Sequence, residues 1–275
     1  MVPHTIIPRK VLHFDINGTI TPVDTTEEGN KLENANMVVA KSVYGQLNKD
    51  GKWEAMDNDN LYIGIPGFTI SYYNYLKSQT KYYKQLSYDF TNCYEGIQFA
   101  HFIPKLLESM ESFLFPSFLK VLEMYDDSLI VFRTFGLDAD EVIEYLRTNP
   151  KTCEKFKDFI TGQFSYSDNI PILTLETGDI YTGMDEINEL YRTTNSHLAL
   201  KESYEYWNSS GRSNQTGKQV KGCDDLVQLF FDDNLCVNII DDKNVTSYHI
   251  NTLLALTNDD YYCTFINNIF KKYEH

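Results

Sequence analysis

The sequence has no apolar run near the roughly 18 residues that a membrane-spanning helix needs, so a membrane-embedded chain is not expected. Positive charge is scarce: 24 Lys and Arg stand against 39 Asp and Glu, a net charge of -15. That balance repels polymeric nucleic acid and anionic membrane surfaces at long range. It does not exclude a small phosphorylated molecule, because a bound divalent cation reverses the local potential of an acidic cleft. Paired cysteines are missing as well. The five, at 93, 153, 223, 236 and 263, are scattered and contain no CxxC, which excludes a disulfide framework and a thiolate zinc site. They read as free thiols of a reducing compartment, and the expected location is cytoplasmic. The six histidines form no HExxH, and His13 reads as a packed strand residue. The first ten residues, with prolines at 3 and 8, do not read as a signal peptide.

What is present is a folding composition, 42% apolar and 23% charged over 275 residues, enough for one or two domains. Five short, mostly apolar segments read as buried strands: Lys10–Phe14, Leu129–Arg133, His197–Lys201, Leu226–Phe231 and Cys236–Ile240. Between them lie helical patterns. "FPSFLKVLEMYDD" spaces its apolar residues at 115, 118, 119 and 122, and "DADEVIEYLRT" is acidic early and basic late, as the helix dipole prefers. The stretch from Thr246 to the end reads as one or two closing helices. Strands alternating with helices predict an α/β fold with a doubly wound parallel sheet.

Two stretches interrupt that alternation. Residues 21–102 hold a helical pattern, "KLENANMVVAKSVYGQL", a polar loop and a tyrosine-rich run. Eighty residues are too many for a loop, so an inserted, helical subdomain is expected there. Its tyrosines either wall a pocket or pack as an amphipathic cap. A smaller insertion spans about 149–194, where "NIPILTLETGDIYTG" reads as a β-hairpin turning at Glu176–Asp179.

The strand ends carry the chemistry. The first ends in "FDINGT", with Asp15, Asn17, Gly18 and Thr19; the second ends at Thr134; the fourth ends at Asp232 and Asp233, with Lys218 upstream. Ligands of an open parallel sheet bind beyond the carboxyl ends of its strands. Carboxylates from separate strands suit a hard cation such as magnesium, and a lysine with a hydroxyl suits phosphoryl oxygens.

On these motifs the chain resembles the haloacid dehalogenase-like superfamily, phosphotransferases, phosphatases and dehalogenases built on a Rossmann-like core. The resemblance covers roughly residues 8–20 and 103–275 of an expected core of residues 1–20 and 103–275, and the 21–102 insertion lies where that family often places a cap. It implies that Asp15 is the nucleophile, that Thr134 and Lys218 flank the phosphoryl group, and that backbone N–H groups around Gly18 and Thr19 assist. Lys221 is the alternative lysine. The resemblance implies Mg²⁺ held by Asp15, the Asn17 backbone carbonyl, Asp232 and Asp233, with Asp241 and Asp242 the alternative acidic pair. One position departs from the pattern. Asn17 stands where the family's phosphatases carry an aspartate that acts as general acid and base, and an amide cannot exchange that proton near neutral pH. The expected function is therefore a Mg²⁺-dependent phosphohydrolase or phosphotransferase of a small phosphorylated metabolite, poor on unactivated monoesters. The alternative is a catalytically weak or silent binding or structural module. Dehalogenation ranks third, since the dehalogenases do not need magnesium.

Overall fold

The computed structural model describes residues 8–22, 29–56 and 61–273. The first seven residues, on which the reading of no signal peptide rests, lie outside them, as do residues 23–28, 57–60, His275 and its neighbour. The chain divides into two compact units, one formed by residues 1–21, 118–250 and 260–275, the other by 22–117 and 251–259.

The first unit is built on a mixed, mainly parallel sheet of eight strands. In chain order they are β1 (Arg9–Phe14), β2 (Leu129–Thr134), β3 (Phe159–Ser167), β4 (Ile170–Leu175), β5 (Ile180–Thr182), β6 (His197–Lys201), β7 (Leu226–Asp232) and β8 (Val245–His249). Their order across the sheet is β8-β7-β1-β2-β6-β3-β4-β5. The pairs from β8 to β3 are parallel, and β4 and β5 add an antiparallel edge. β2 and β7 are buried along their whole length, which is why both read as mostly apolar runs. Helices Ala139–Thr148 and Gly183–Thr193 carry two and two acidic residues in their first turns and an arginine in the last, matching the dipole. Helix Pro116–Met124 places Phe118 against Phe14 and Phe132.

The fifth expected strand is displaced. Val237–Asp241 is a strand, but it pairs with Lys218–Lys221 in a separate two-stranded sheet. The place beside β7 belongs to β8, in a stretch whose composition reads as the start of a helix. The real closing helices begin later, at Thr252–Thr257 and Tyr261–Phe270. The expected hairpin is β4 and β5, with Gly178 N–H donating to the Leu175 carbonyl at its turn. A second hairpin, β3 with β4, turns at Asp168 and Asn169, whose φ values of 51° and 64° are the left-handed pair of a two-residue turn.

The second unit contains helix Lys31–Ser42, opened by a capping box between Asn30 and Glu33. A three-stranded antiparallel sheet of Trp53–Ala55, Tyr44–Leu47 and Ile70–Ser71 accompanies it. The helical pattern therefore stops at Ser42, and "VYGQL" is largely strand. Trp53, Tyr72, Phe90 and Phe99 form its aromatic core. Tyr72 is thus a packing residue, whereas Tyr94 is 93% exposed.

Two buried histidines in the first unit give stability a pH dependence. His13 stacks on Phe230 and meets Gln228 Oε1 at 3.1 Å; burial, then the Arg133 charge, lowers its pKa to about 3. His197 Nδ1 accepts the Ile130 N–H at 3.1 Å, and burial, then Arg9, lowers it to about 4. Both are neutral when folded, while the unfolded chain takes up their protons near pH 6.5. The stabilisation is present above pH 6.5 and is lost as pH falls toward 4. Urea unfolding at pH 5 should give a free energy lower than at pH 7 by roughly 2 kcal/mol for each histidine. His197→Phe should flatten the profile; an equally steep profile in that variant would remove His197 from the explanation.

Candidate active site

Leaving β1, the chain is directed outward along one side of the sheet through β2, while β7 returns on the other side. β1 therefore lies at the point where strand order reverses, the place where open α/β sheets bind ligands. Asp15 follows β1 and Asp232 ends β7, and the Asp15 N–H donates to the Phe231 carbonyl at 2.9 Å. Parallel pairing of Phe14 with Phe231 puts the two carboxylates at the same end.

Lys218 joins them. Its Nζ donates to Asp15 Oδ1 at 2.6 Å and to Asp232 Oδ2 at 2.7 Å, and all three side chains are buried. The lysine is placed by its own backbone: its N–H donates to the Cys236 carbonyl at 2.8 Å. Gly217 before it runs so close to that carbonyl that a side chain there would overlap Cys236. Cys236 Sγ lies 3.3 Å from Asp232 Oδ2, and burial raises the thiol pKa, so it donates as a thiol. Lys221 points elsewhere and pairs with Asp185 at 2.7 Å.

Asp233 completes an acidic triad. One carboxylate oxygen each from Asp15, Asp232 and Asp233 lies within 4.8 Å of the others. Asp233 is held in place: its N–H donates to Thr19 Oγ1 at 3.0 Å, its Oδ1 accepts from Asn234 at 2.7 Å, and its carbonyl meets His249 Nε2 at 2.8 Å. Gly18, at φ 74°, lies against it, and a Cβ there would sit 2.5 Å from Asp233 Oδ2. Only glycine supplies both that left-handed backbone and that space. Among the described residues, Asp241 and Asp242 take no part in the triad; Asp241 pairs through its backbone with Lys221 and Gly222.

Burial raises the Asp15 carboxyl to about 7 against the pull of Lys218, and the Asp232 charge adds to the rise. Burial disfavours the Lys218 ammonium, but Asp15 and Asp232 outweigh it and hold its pKa above the ordinary value. The Lys218 ammonium thus pairs with two of the three carboxylates of the triad. The triad's spread compares with the ~4.2 Å between opposite oxygens of an octahedral magnesium site. Three carboxylate oxygens within 4.8 Å of one another could hold such an ion.

Thr134 and Asn17 form the neighbouring wall. Thr134 Oγ1 accepts the Gly136 N–H at 2.9 Å, so it caps its own turn while its O–H hydrogen remains available to donate. Thr134 Oγ1 and Asn17 Nδ2 lie 3.4 and 3.5 Å from the point a Gly136 Cβ would occupy. Both ends of the Asn17 amide are engaged: Nδ2 donates to Asp138 Oδ2 at 2.7 Å, and Oδ1 accepts from Thr21 Oγ1 at 3.3 Å. Asp138 is buried. Sequence reasoning assigned it only to a helix start; the available signal was its position four residues after Thr134.

Comparison with protein-family models, curated proteins and solved structures returns no match to this chain.

Proposed function

We propose that the protein is a Mg²⁺-dependent phosphohydrolase or phosphotransferase of the haloacid dehalogenase-like type, acting on a small phosphorylated molecule. The observation that carries this reading is the convergence of Asp15, Lys218, Asp232 and Asp233 from three separated chain segments onto one end of adjacent parallel strands. In this reading Asp15, Asp232 and Asp233 hold the ion, with the Asn17 backbone carbonyl as a further oxygen. Magnesium would offset the negative charge of the triad and draw the phosphoryl oxygens to the site. Lys218 and the Thr134 hydroxyl would face those oxygens. An Asp15 carboxylate oxygen would attack phosphorus as the bond from phosphorus to the substrate's bridging oxygen breaks, to give an aspartyl-phosphate. The bridging oxygen leaves as an alkoxide or phenoxide that takes its proton from solvent. Water attacks the same phosphorus in the second step, the Asp15 oxygen leaves, and the water proton passes to solvent or to the released phosphate. Asn17 cannot take it.

A second reading has its own support: with its amide tied to Asp138 and Thr21, position 17 is built as a fixed hydrogen-bonding group. That suits a protein that binds a phosphorylated ligand and turns it over slowly or not at all.

Both readings require the ion. Calorimetric titration of Mg²⁺ into the wild type should give a saturable one-site isotherm, and Asp232→Asn should weaken it by at least tenfold (~1.4 kcal/mol). Equal binding by the two proteins would contradict the ligand assignment.

A further inference from the structure

We infer that the phosphorylated molecule handled at Asp15 carries an aromatic ring, and that Phe135, Tyr204, Trp207 and Arg212 select it. This rests on the phosphoryl-transfer reading of the site. Phe135 directly follows Thr134, and its ring lies 5.2 Å from Lys218 Nζ, so the ring borders the place where the phosphoryl group would sit. Trp207 stacks on it at 4.8 Å with the planes 14° apart, and Tyr204 meets it edge-on at 6.2 Å. Tyr204 is 44% exposed, so one ring of this cluster is open to solvent.

The cluster is held in place from both sides. Tyr204 and Trp207 stand one turn apart on helix Tyr204–Ser209, capped by Ser203. Tyr206 anchors that helix by stacking on Tyr166 at 4.0 Å and donating to Asn169 Oδ1 at 2.7 Å. Beyond the helix, Gly211 and Arg212 both adopt left-handed backbone, at φ 75° and 55°. For arginine that conformation is costly, and it turns the side chain back over the helix. The guanidinium lies 5.7 Å from the centres of both the Tyr204 and Trp207 rings, donating to Tyr204 Oη at 2.7 Å and Asn208 Oδ1 at 2.9 Å. In a chain of net charge -15, a cation fixed over the aromatic cluster that continues from Phe135 suits an electron-rich ring on an anionic ligand. A nucleobase and a phenyl group share that chemistry.

Two matched pairs of ligands test the inference by calorimetry with Mg²⁺: methylphosphonate with phenylphosphonate, and ribose 5-phosphate with adenosine 5′-monophosphate. Stacking predicts that the ring-bearing member of at least one pair binds roughly tenfold or more tightly. The pair that shows the gain identifies the ring as aryl or nucleobase. Trp207→Leu should abolish the gain without changing methylphosphonate affinity. Tyr204→Ser, at an exposed position, repeats the test should Trp207→Leu not fold. Equal affinities within both pairs, or a gain that survives Tyr204→Ser and Trp207→Leu, would overturn the inference while leaving the Asp15 site standing. If neither methylphosphonate nor ribose 5-phosphate binds, the phosphoryl-transfer reading falls and this inference with it.

Discussion

Lys218→Met should lower the unfolding free energy by about 3–5 kcal/mol at pH 8, the range expected when one partner of a buried ion pair is removed. The ammonium contacts Asp15 and Asp232 inside a site where all three groups are buried. Methionine fills the space and leaves the two carboxylates facing each other. The deficit should depend on pH in a definite direction. Asp15 is already raised to about 7 by burial, and losing the lysine raises it further. At pH 5 a proton then neutralises one carboxylate of the variant, and the gap to wild type should shrink. Asp232→Asn added to Lys218→Met should recover part of the loss, since it removes one of the opposed charges. Chemical unfolding of the three proteins at both pH values measures all of this. A deficit that is the same at pH 5 and pH 8 would show that lost packing, not uncompensated charge, is responsible.

Asn17→Asp should raise hydrolysis of phenyl phosphate with Mg²⁺ by roughly 10²- to 10⁴-fold, the usual range for a positioned general acid and base. The structure adds a reason beyond the missing proton carrier. The new carboxylate would lie where Asn17 Nδ2 now meets Asp138 Oδ2 at 2.7 Å. Two carboxylates that close share one proton, and one of the two pKa values rises. The pair is then a proton donor near neutral pH for the leaving oxygen. Steady-state rates from pH 5 to 8 should therefore fall on the alkaline side as that proton is lost. The gain should vanish when Asp15→Asn is combined with Asn17→Asp. An Asn17→Asp rate equal to wild type would mean that proton transfer at this position does not limit the reaction.

The central strands were readable because burial on both faces leaves a short, mostly apolar run. β1, β2, β6 and β7 carry that signature, and each lies within a residue of its expected bounds. β3 was not readable. Phe159–Ser167 alternates glycine and polar residues with aromatics and is mostly half-exposed, as suits a strand beside the antiparallel edge. The Asp168–Asn169 turn that follows was its one local signal. β8 was hidden because "VTSYH" runs straight into a helical pattern, and only its pairing with β7 makes it a strand.

The site was more legible than the sheet edge. Asp15, Lys218, Asp232 and Asp233 are residue types whose chemistry is visible in one dimension, and strand ends bring them together. Partnerships at long range were not visible. Arg133 reads as the polar end of a strand but is wholly buried, paired with Glu202 and packed over Phe164. Nothing in the sequence announces a partner 69 residues away. Asp138 was missed for the same reason, since its bond to Asn17 spans 121 residues.

If Asp15 accepts a phosphoryl group, that group can be trapped on it. Incubation with ³²P-labelled acetyl phosphate avoids the need for a leaving-group acid, because acetate departs unaided. With Mg²⁺ the wild type should acquire label that hydroxylamine releases, as expected of an acyl phosphate, and peptide mapping should place it on Asp15. Asp15→Asn, and wild type with the cation chelated, should stay unlabelled. A folded, Mg²⁺-binding wild type that takes no label, or an Asp15→Asn variant labelled as fully as wild type, would contradict phosphoryl transfer to Asp15.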